Sequence, residues 1–274
     1  MIDQVIAMYT IIDDALKLMH HREDPRATFS DAEVITTGLV ASRFFGGHLN
    51  HARAFLRETG LMPQMLSESR FNRRWHACAD LVQTLLESCG LALKAAQEGQ
   101  QYLLDSFPLP VCHNVRIPRC RLLTGAEFHG YCKAKREYFY GYRVHVLTTT
   151  AGVPVELAFL PGHANDVRGL GVVPFALPAG SEVFMDAGYT DYQDEDAAWA
   201  ADGIRLAVAR KKNSTRRDSL AEFLYKQITR HDIETVFSEL TSWFPKRIHA
   251  VTAKGFLLKA TLFVFAFALS KAFI

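Results

Sequence analysis

Cysteine is scarce and poorly placed for cross-linking. Cys78, Cys89, Cys112, Cys120 and Cys132 are an odd set with no C-x-x-C pair. That excludes a disulfide-stapled scaffold and is the pattern of reduced thiols in a cytosol. A zinc site drawn from Cys112, Cys120, His129 and Cys132 lacks the paired ligand spacing of structural zinc. No basic leader followed by an apolar core opens the sequence, so no secretory signal is expected. The one membrane-like run, residues 260–270 between Lys259 and Lys271, falls short of the ~20 apolar residues that span a bilayer. A buried helix is expected there, and no membrane partner. Internal repeats and low-complexity tracts are lacking. Neither sign of charge dominates: 31 Lys and Arg face 29 Asp and Glu, a formal net charge of +2 over 274 residues. The total therefore neither demands nor excludes a polyanionic partner. Apolar residues make up 49%, which excludes a disordered tail and supplies a core for one large domain or two modest ones.

Residues 1–98 lack β-branched alternation and read as an all-helical domain. Ile2, Val5, Ile6, Tyr9, Ile12, Leu16 and Met19 recur at helical spacing. Ser30-Asp31-Ala32-Glu33 is a capping box opening a second helix that Gly46-Gly47 ends. Further helices are expected near 50–60, 69–74 and 81–96.

The texture changes at Gly99. Tyr102-Leu103-Leu104 reads as a buried strand stopped at Pro108. Residues 138–149 and 153–159 read as a hairpin turning at Ala151-Gly152. A short helix over 166–175 follows, then a strand at 182–186, a helix at 191–201 and a strand at 204–209. Ser219-Leu220-Ala221-Glu222 caps a long amphipathic helix. This order predicts an α/β domain over residues 99–274, with a mixed sheet and helices packed on it.

Two acids end apolar runs: Asp105 after Tyr-Leu-Leu and Asp186 after Val-Phe-Met. Ligands of open sheets bind beyond the carboxyl ends of strands. If the two strands are neighbours, the carboxylates converge, and like charges at that separation need cations to stay ionised. Oxygen-only ligands favour Mg²⁺ or Mn²⁺ over zinc. Glu234 on the long helix is the candidate third acid, with Arg230 one turn before it. Glu239 is the weaker alternative. The same residues also read as turn formers and a surface ion pair.

The segments Asp105-Ser-Phe-Pro-Leu-Pro-Val-Cys-His-Asn, Pro161-Gly-His-Ala-Asn-Asp166, Asp186-Ala-Gly-Tyr and Arg230-x-x-Ile-Glu234 resemble DDE transposases of bacterial insertion sequences, most closely the insertion-sequence 982 family. So do Asp31-Ala-Glu-Val, Arg43-Phe-Phe-Gly-Gly, Ser69-Arg-Phe-Asn-Arg-Arg74 and His249-Ala-Val-Thr-Ala-Lys-Gly-Phe256. The resemblance covers nearly the whole chain. It implies an RNase H-like catalytic fold, with Asp105, Asp186 and Glu234 holding two Mg²⁺ (or Mn²⁺) ions for in-line phosphodiester cleavage and strand transfer. It also implies an active-site role for His163 and Asp166. Where relatives carry a Tyr before the Arg and a Lys after the Glu, this chain has Gln227 and Thr241, with Tyr225 and Lys226 as nearby substitutes. The implied partners are double-stranded transposon ends and target DNA, bound by a homodimer. The rival readings are an RNase H-like nuclease that does not join strands and an inactive DNA-binding remnant.

Basic residues flank the acids in sequence. Arg116, Arg119, Arg121, Lys133, Lys135, Arg136 and Arg143 follow Asp105, interleaved with Phe128, Tyr131, Tyr138 and Tyr140. Arg210, Lys211, Lys212, Arg216 and Arg217 precede the long helix, and Arg230 lies on it. These thirteen cations are the expected phosphate contacts. The helical block, with Arg70, Arg73, Arg74 and His76 around Trp75, reads equally as a helix-turn-helix-like DNA reader or a dimerisation domain.

Overall fold

Ser30 and Glu33 cap each other: Glu33 N–H donates to Ser30 Oγ at 3.1 Å and Ser30 N–H to Glu33 Oε2 at 2.6 Å. This starts α2 (Asp31–Phe44), which is buried at nearly every position from Ala32 to Ser42. In a computed structural model that describes every residue except Glu98, Ala134 and Ile274, α2 is the axis of the first of two units, Met1–Cys89 with Trp243–Ile274. Around it lie α1 (Ile2–Leu18), α3 (Leu49–Glu58), α4 (Glu68–Ala77) and the start of α5 (Ala79–Ala96). Gly38 faces the Trp75 ring so closely that an added Cβ would sit 2.2 Å from it. Asp31 accepts from His21 at 2.9 Å and pairs with Arg74, tying α2 to α4.

The last helix groups differently from the expected division at residue 98. Residues 243–274 belong to the first unit rather than to the α/β part. α8 (Ala253–Phe273) is longer than the expected 260–270 and is buried on most sides from Gly255 to Leu269, packed on α2. An apolar helix with no polar face must be covered all round, and α2 supplies that cover. By length and composition alone α8 could cross a membrane.

The second unit, Gly90–Ser242, is built on a six-stranded mixed sheet in the order β2-β3-β1-β5-β6, with β4 also paired to β3. Its strands are β1 (Gln101–Cys112), β2 (His129–Cys132), β3 (Glu137–Thr149), β4 (Pro154–Pro161), β5 (Glu182–Met185) and β6 (Arg205–Val208). β1 pairs antiparallel with β3 and parallel with β5, and β5 pairs parallel with β6. α6 (Tyr192–Asp202) is capped by Asp191. The second capping box holds as expected, with Ser219 N–H donating to Glu222 at 2.9 Å, and opens α7 (Leu220–Ser242).

Two expectations differ from the structure. β1 is not stopped at Pro108 but runs to Cys112, with Pro108 opposite Arg143 and Pro110 opposite Gly141. Pairing with β5 ends at Leu104, so beyond it β1 is an edge, where a missing N–H is tolerated. The helix expected over 166–175 is only a 3-10 turn, Asp166–Gly169.

Alternation sorts the sheet. Tyr102, Leu104, Val183, Met185, Leu206 and Val208 face one core with Leu170, Val173 and Ile204. Residues of the other parity face α7: Phe107 meets Phe237 at 6.5 Å and Phe184 meets Tyr225 at 5.3 Å between ring centroids. A buried ion pair anchors the first core, with Lys94 Nζ 2.8 Å from Glu156 Oε1. Glu156 also accepts from the N–H groups of Phe175 and Ala176, each at 2.9 Å. Lys94→Met leaves that carboxylate buried without its cation, and urea unfolding is expected to show a loss of about 3–5 kcal/mol. A loss under about 0.5 kcal/mol would mean that the two amides suffice to hold Glu156.

Candidate active site

The register Leu104↔Met185 carries one step further in each chain to Asp105 and Asp186. Asp105 shares its parity with Leu103 and Phe107, and Asp186 with Phe184, so both fall on the α7 side of the sheet. Ile233 and Phe237 anchor α7 there, and Glu234 sits between them in sequence. Asp105, Asp186 and Glu234 therefore line one small cleft of about 50 Å³, together with Lys226, Arg230 and Ile233. Glu239 is not among the residues lining it.

Burial and clustered acid together set the electrostatics of the cleft. Burial pushes the Asp105 carboxyl up to about 7, and the negative charges of Asp186 and Asp166 add to the shift. Opposing them are the Ser106 N–H, 2.7 Å from Asp105 Oδ1, and the Arg143 guanidinium. Asp186 caps its own turn by accepting from Gly188 N–H. A Cβ on Gly188 would lie 2.9 Å from Asp166 Oδ2 and 3.3 Å from Asp186 Oδ1, which places the two carboxylates around one glycine.

On the sheet face away from α7, a polar network backs these acids. Ser106 Oγ donates to Asp166 Oδ1 at 2.7 Å and Arg143 Nη1 to the same oxygen at 3.1 Å. His145 Nδ1 and Tyr189 Oη are 2.8 Å apart, and both side chains are buried. Burial lowers the His145 pKa to about 4, so the ring is neutral at pH 7. Sequence reasoning missed Ser106, His145 and Tyr189. The available signals were a histidine inside the alternating apolar run of β3 and the tyrosine three residues after Asp186.

The expected site residues separate into groups. Asp166 lies behind the acids, bonded to Ser106 and Arg143, and neither it nor the exposed His163 is among the residues lining the cleft. Arg143, expected as a phosphate contact, is turned inward onto Asp166, with 15% of its side chain exposed. Arg210 binds Glu195 through two bonds of 2.7 and 2.6 Å, and Arg216 binds Asp196 through bonds of 2.8 and 2.7 Å. Both arginines also stack over the Tyr192 ring, so their first role is to fold the segment before α7. Arg230 pairs with Glu234 at 3.1 Å. Arg116, Arg119, Arg121, Lys133, Lys135, Arg136, Lys211, Lys212 and Arg217 are exposed.

Lys226 is held in the cleft by Val208 C=O at 2.9 Å and Asp218 at 2.7 Å. Tyr225 reaches Gln101 instead. Thr241 bonds to its own helix, and Gln227 is exposed.

Asp105 within β1 and Asp186 just after β5 thus face α7, which carries the third acid, Glu234. Residues 94–248 match the family described as the transposase DDE domain, and the chain belongs to that family. Searches of curated proteins and of solved structures gave no match.

The raised Asp105 pKa has a consequence for the metal-free protein. Its folded-state value lies above the ~3.9 of an unfolded aspartate, so the stability it contributes is complete below pH ~4 and is lost as pH rises through about 7. In buffer without divalent cations, thermal unfolding of wild type should fall across that window, and Asp105→Asn should flatten the decline. Parallel pH profiles for the two proteins would contradict the shift.

Proposed function

We propose that this chain is a transposase of the insertion-sequence 982 type, and that its second unit is an RNase H-like catalytic domain. Asp105, Asp186 and Glu234 are its metal ligands. The observation that carries the reading is the placing of these three acids in one cleft of a transposase DDE domain.

The donor set fits Mg²⁺ or Mn²⁺. It is all oxygen, as hard cations require, and the repulsion from Asp186 and Asp166 that adds to burial in raising the Asp105 pKa is what a divalent ion would relieve. Two such ions, when bound, activate the attacking oxygen and stabilise the leaving one. The protein's own contribution is position. Asp105 is fixed by β1 and Asp186 by its capped turn, while Arg143 holds Asp166 close behind them. Glu234 is 62% exposed and its pair with Arg230 is a surface one, worth ~1 kcal/mol or less. Glu234 can therefore turn to an ion and leave Arg230 for a phosphate. Among the described residues the three acids do not meet as tightly as His21, Glu23 and Asp31 in the first unit, whose ligand atoms lie within 4.8 Å. That group is already satisfied: Glu23 accepts from Asp31 N–H, and Asp31 holds Arg74.

The exposed basic side chains before β3 and before α7 carry the DNA backbone, which makes binding salt-dependent. A 3′-OH freed by cleavage then attacks target DNA in the same cleft, with no covalent protein intermediate. The helical unit binds transposon ends or pairs two copies on them.

The test is an assay of cleavage and joining on the element's own terminal repeats with Mg²⁺. Asp186→Ala and Asp105→Asn should each lose more than about 100-fold in rate while still binding DNA. Unchanged cleavage in Asp186→Ala would overturn the site. Cleavage without joining by the wild-type protein would establish the nuclease reading instead.

A further inference from the structure

Three of the segments that resemble transposases take no part in the catalytic cleft: Gly46-Gly47 with the residues after it, Asn72 within Ser69–Arg74, and the stretch beginning at His249. All three line one cavity of about 340 Å³ within the first unit. The Arg43 that precedes the glycines is structural, its guanidinium 4.1 Å over the Trp243 ring. The two glycines take left-handed φ of +55° and +82°, turning the chain off α2 into α3. A Cβ on Gly47 would come within 3.0 Å of Phe263, so the turn is pressed onto α8.

Imidazoles and an ammonium converge in this cavity. The His48 ring lies 5.3 Å from His51 and 6.0 Å from His249. Lys259 enters from α8, partly buried, and donates to the His249 carbonyl at 2.6 Å. Among the described residues no carboxylate forms an ion pair with it. The wall's one acid, Glu68, is exposed and accepts from Asn50 at 3.1 Å. α3 also begins here without a side-chain cap on its first N–H groups, which adds to the positive potential. A partly buried cation with no counter-ion, among rings that can each donate a hydrogen bond, is complementary to an anion. The volume is at the lower end for small-ligand pockets, larger than a bare oxyanion needs, with room for the sugar to which a phosphate is attached.

We propose that this cavity seats a backbone phosphate of DNA, gripped by Lys259, His48 and His249. The identity of the phosphate's owner rests on the transposase reading; the site's preference for a phosphate group rests on the cavity alone. It gives the helical unit a DNA contact formed by residues far apart in sequence, without a recognition-helix pattern.

The experiment compares full-length wild type, Lys259→Met and His249→Gln for binding a fluorescently labelled random-sequence duplex over a salt series, with thermal unfolding as the control for folding. Lys259→Met keeps the aliphatic stem and should weaken binding about tenfold. It should also flatten the salt dependence by about one phosphate contact. His249→Gln should weaken binding less. A third arm adds inorganic phosphate. Stabilisation of wild type that Lys259→Met loses, with duplex binding unchanged, would overturn DNA as the source. Folded variants that match wild type in duplex affinity, salt slope and response to phosphate would overturn the site altogether. Mg²⁺-dependent cleavage by the wild-type protein is assayed alongside, so failure of the cavity and failure of the catalytic cleft give different results.

Discussion

Everything in the second unit depends on the parallel pairing of β1 with β5. Four residue pairs, ending at Leu104 and Met185, place two aspartates side by side at the point where β5 stops. A slip of one residue would turn one of those carboxylates into the apolar core on the opposite face. The large buried side chains of that core, Tyr102, Leu104, Val183 and Met185, resist the slip. The placing of the two aspartates is thus specified by hydrophobic packing on the opposite side of the sheet.

The same pairing creates the electrostatic tension of the site. Asp105 leaves water on entering the sheet and meets Asp186 and Asp166 there. The fold offsets part of this with one inward arginine, Arg143, and with hydroxyl and amide donors from Ser106. The remaining excess of negative charge is the physical reason to expect a cation in the cleft. Behind it, the neutral His145 and Tyr189 join β3 to the turn after Asp186 without adding charge.

Much of this was legible in the residues. Both capping boxes, the hairpin at Ala151-Gly152, the succession of most elements along the chain and the acids that follow two apolar runs were readable from short-range rules on spacing and turn chemistry. The prolines of β1 misled because their tolerance depends on where β5 ends, a long-range fact. α8 misled because its apolar run has no face to assign it, and only α2 decides which unit owns it. The basic runs were legible as composition but not as geometry: Arg143, Arg210 and Arg216 look like Lys211 or Arg119 in sequence, yet the fold commits them to Asp166, Glu195 and Asp196. The cavity around His48 and Lys259 joins three segments that no local rule connects.

The central claim is that hard cations settle among Asp105, Asp186 and Glu234 rather than elsewhere in the chain. Hydroxyl radicals generated at Fe²⁺ substituted for Mg²⁺ cut the polypeptide next to the metal, and mass spectrometry locates the cuts. The account predicts breaks in β1 near Asp105, after β5 near Asp186 and in α7 near Glu234, all suppressed by excess Mg²⁺. Breaks confined to the His21, Glu23 and Asp31 group, or none that Mg²⁺ suppresses, would contradict it.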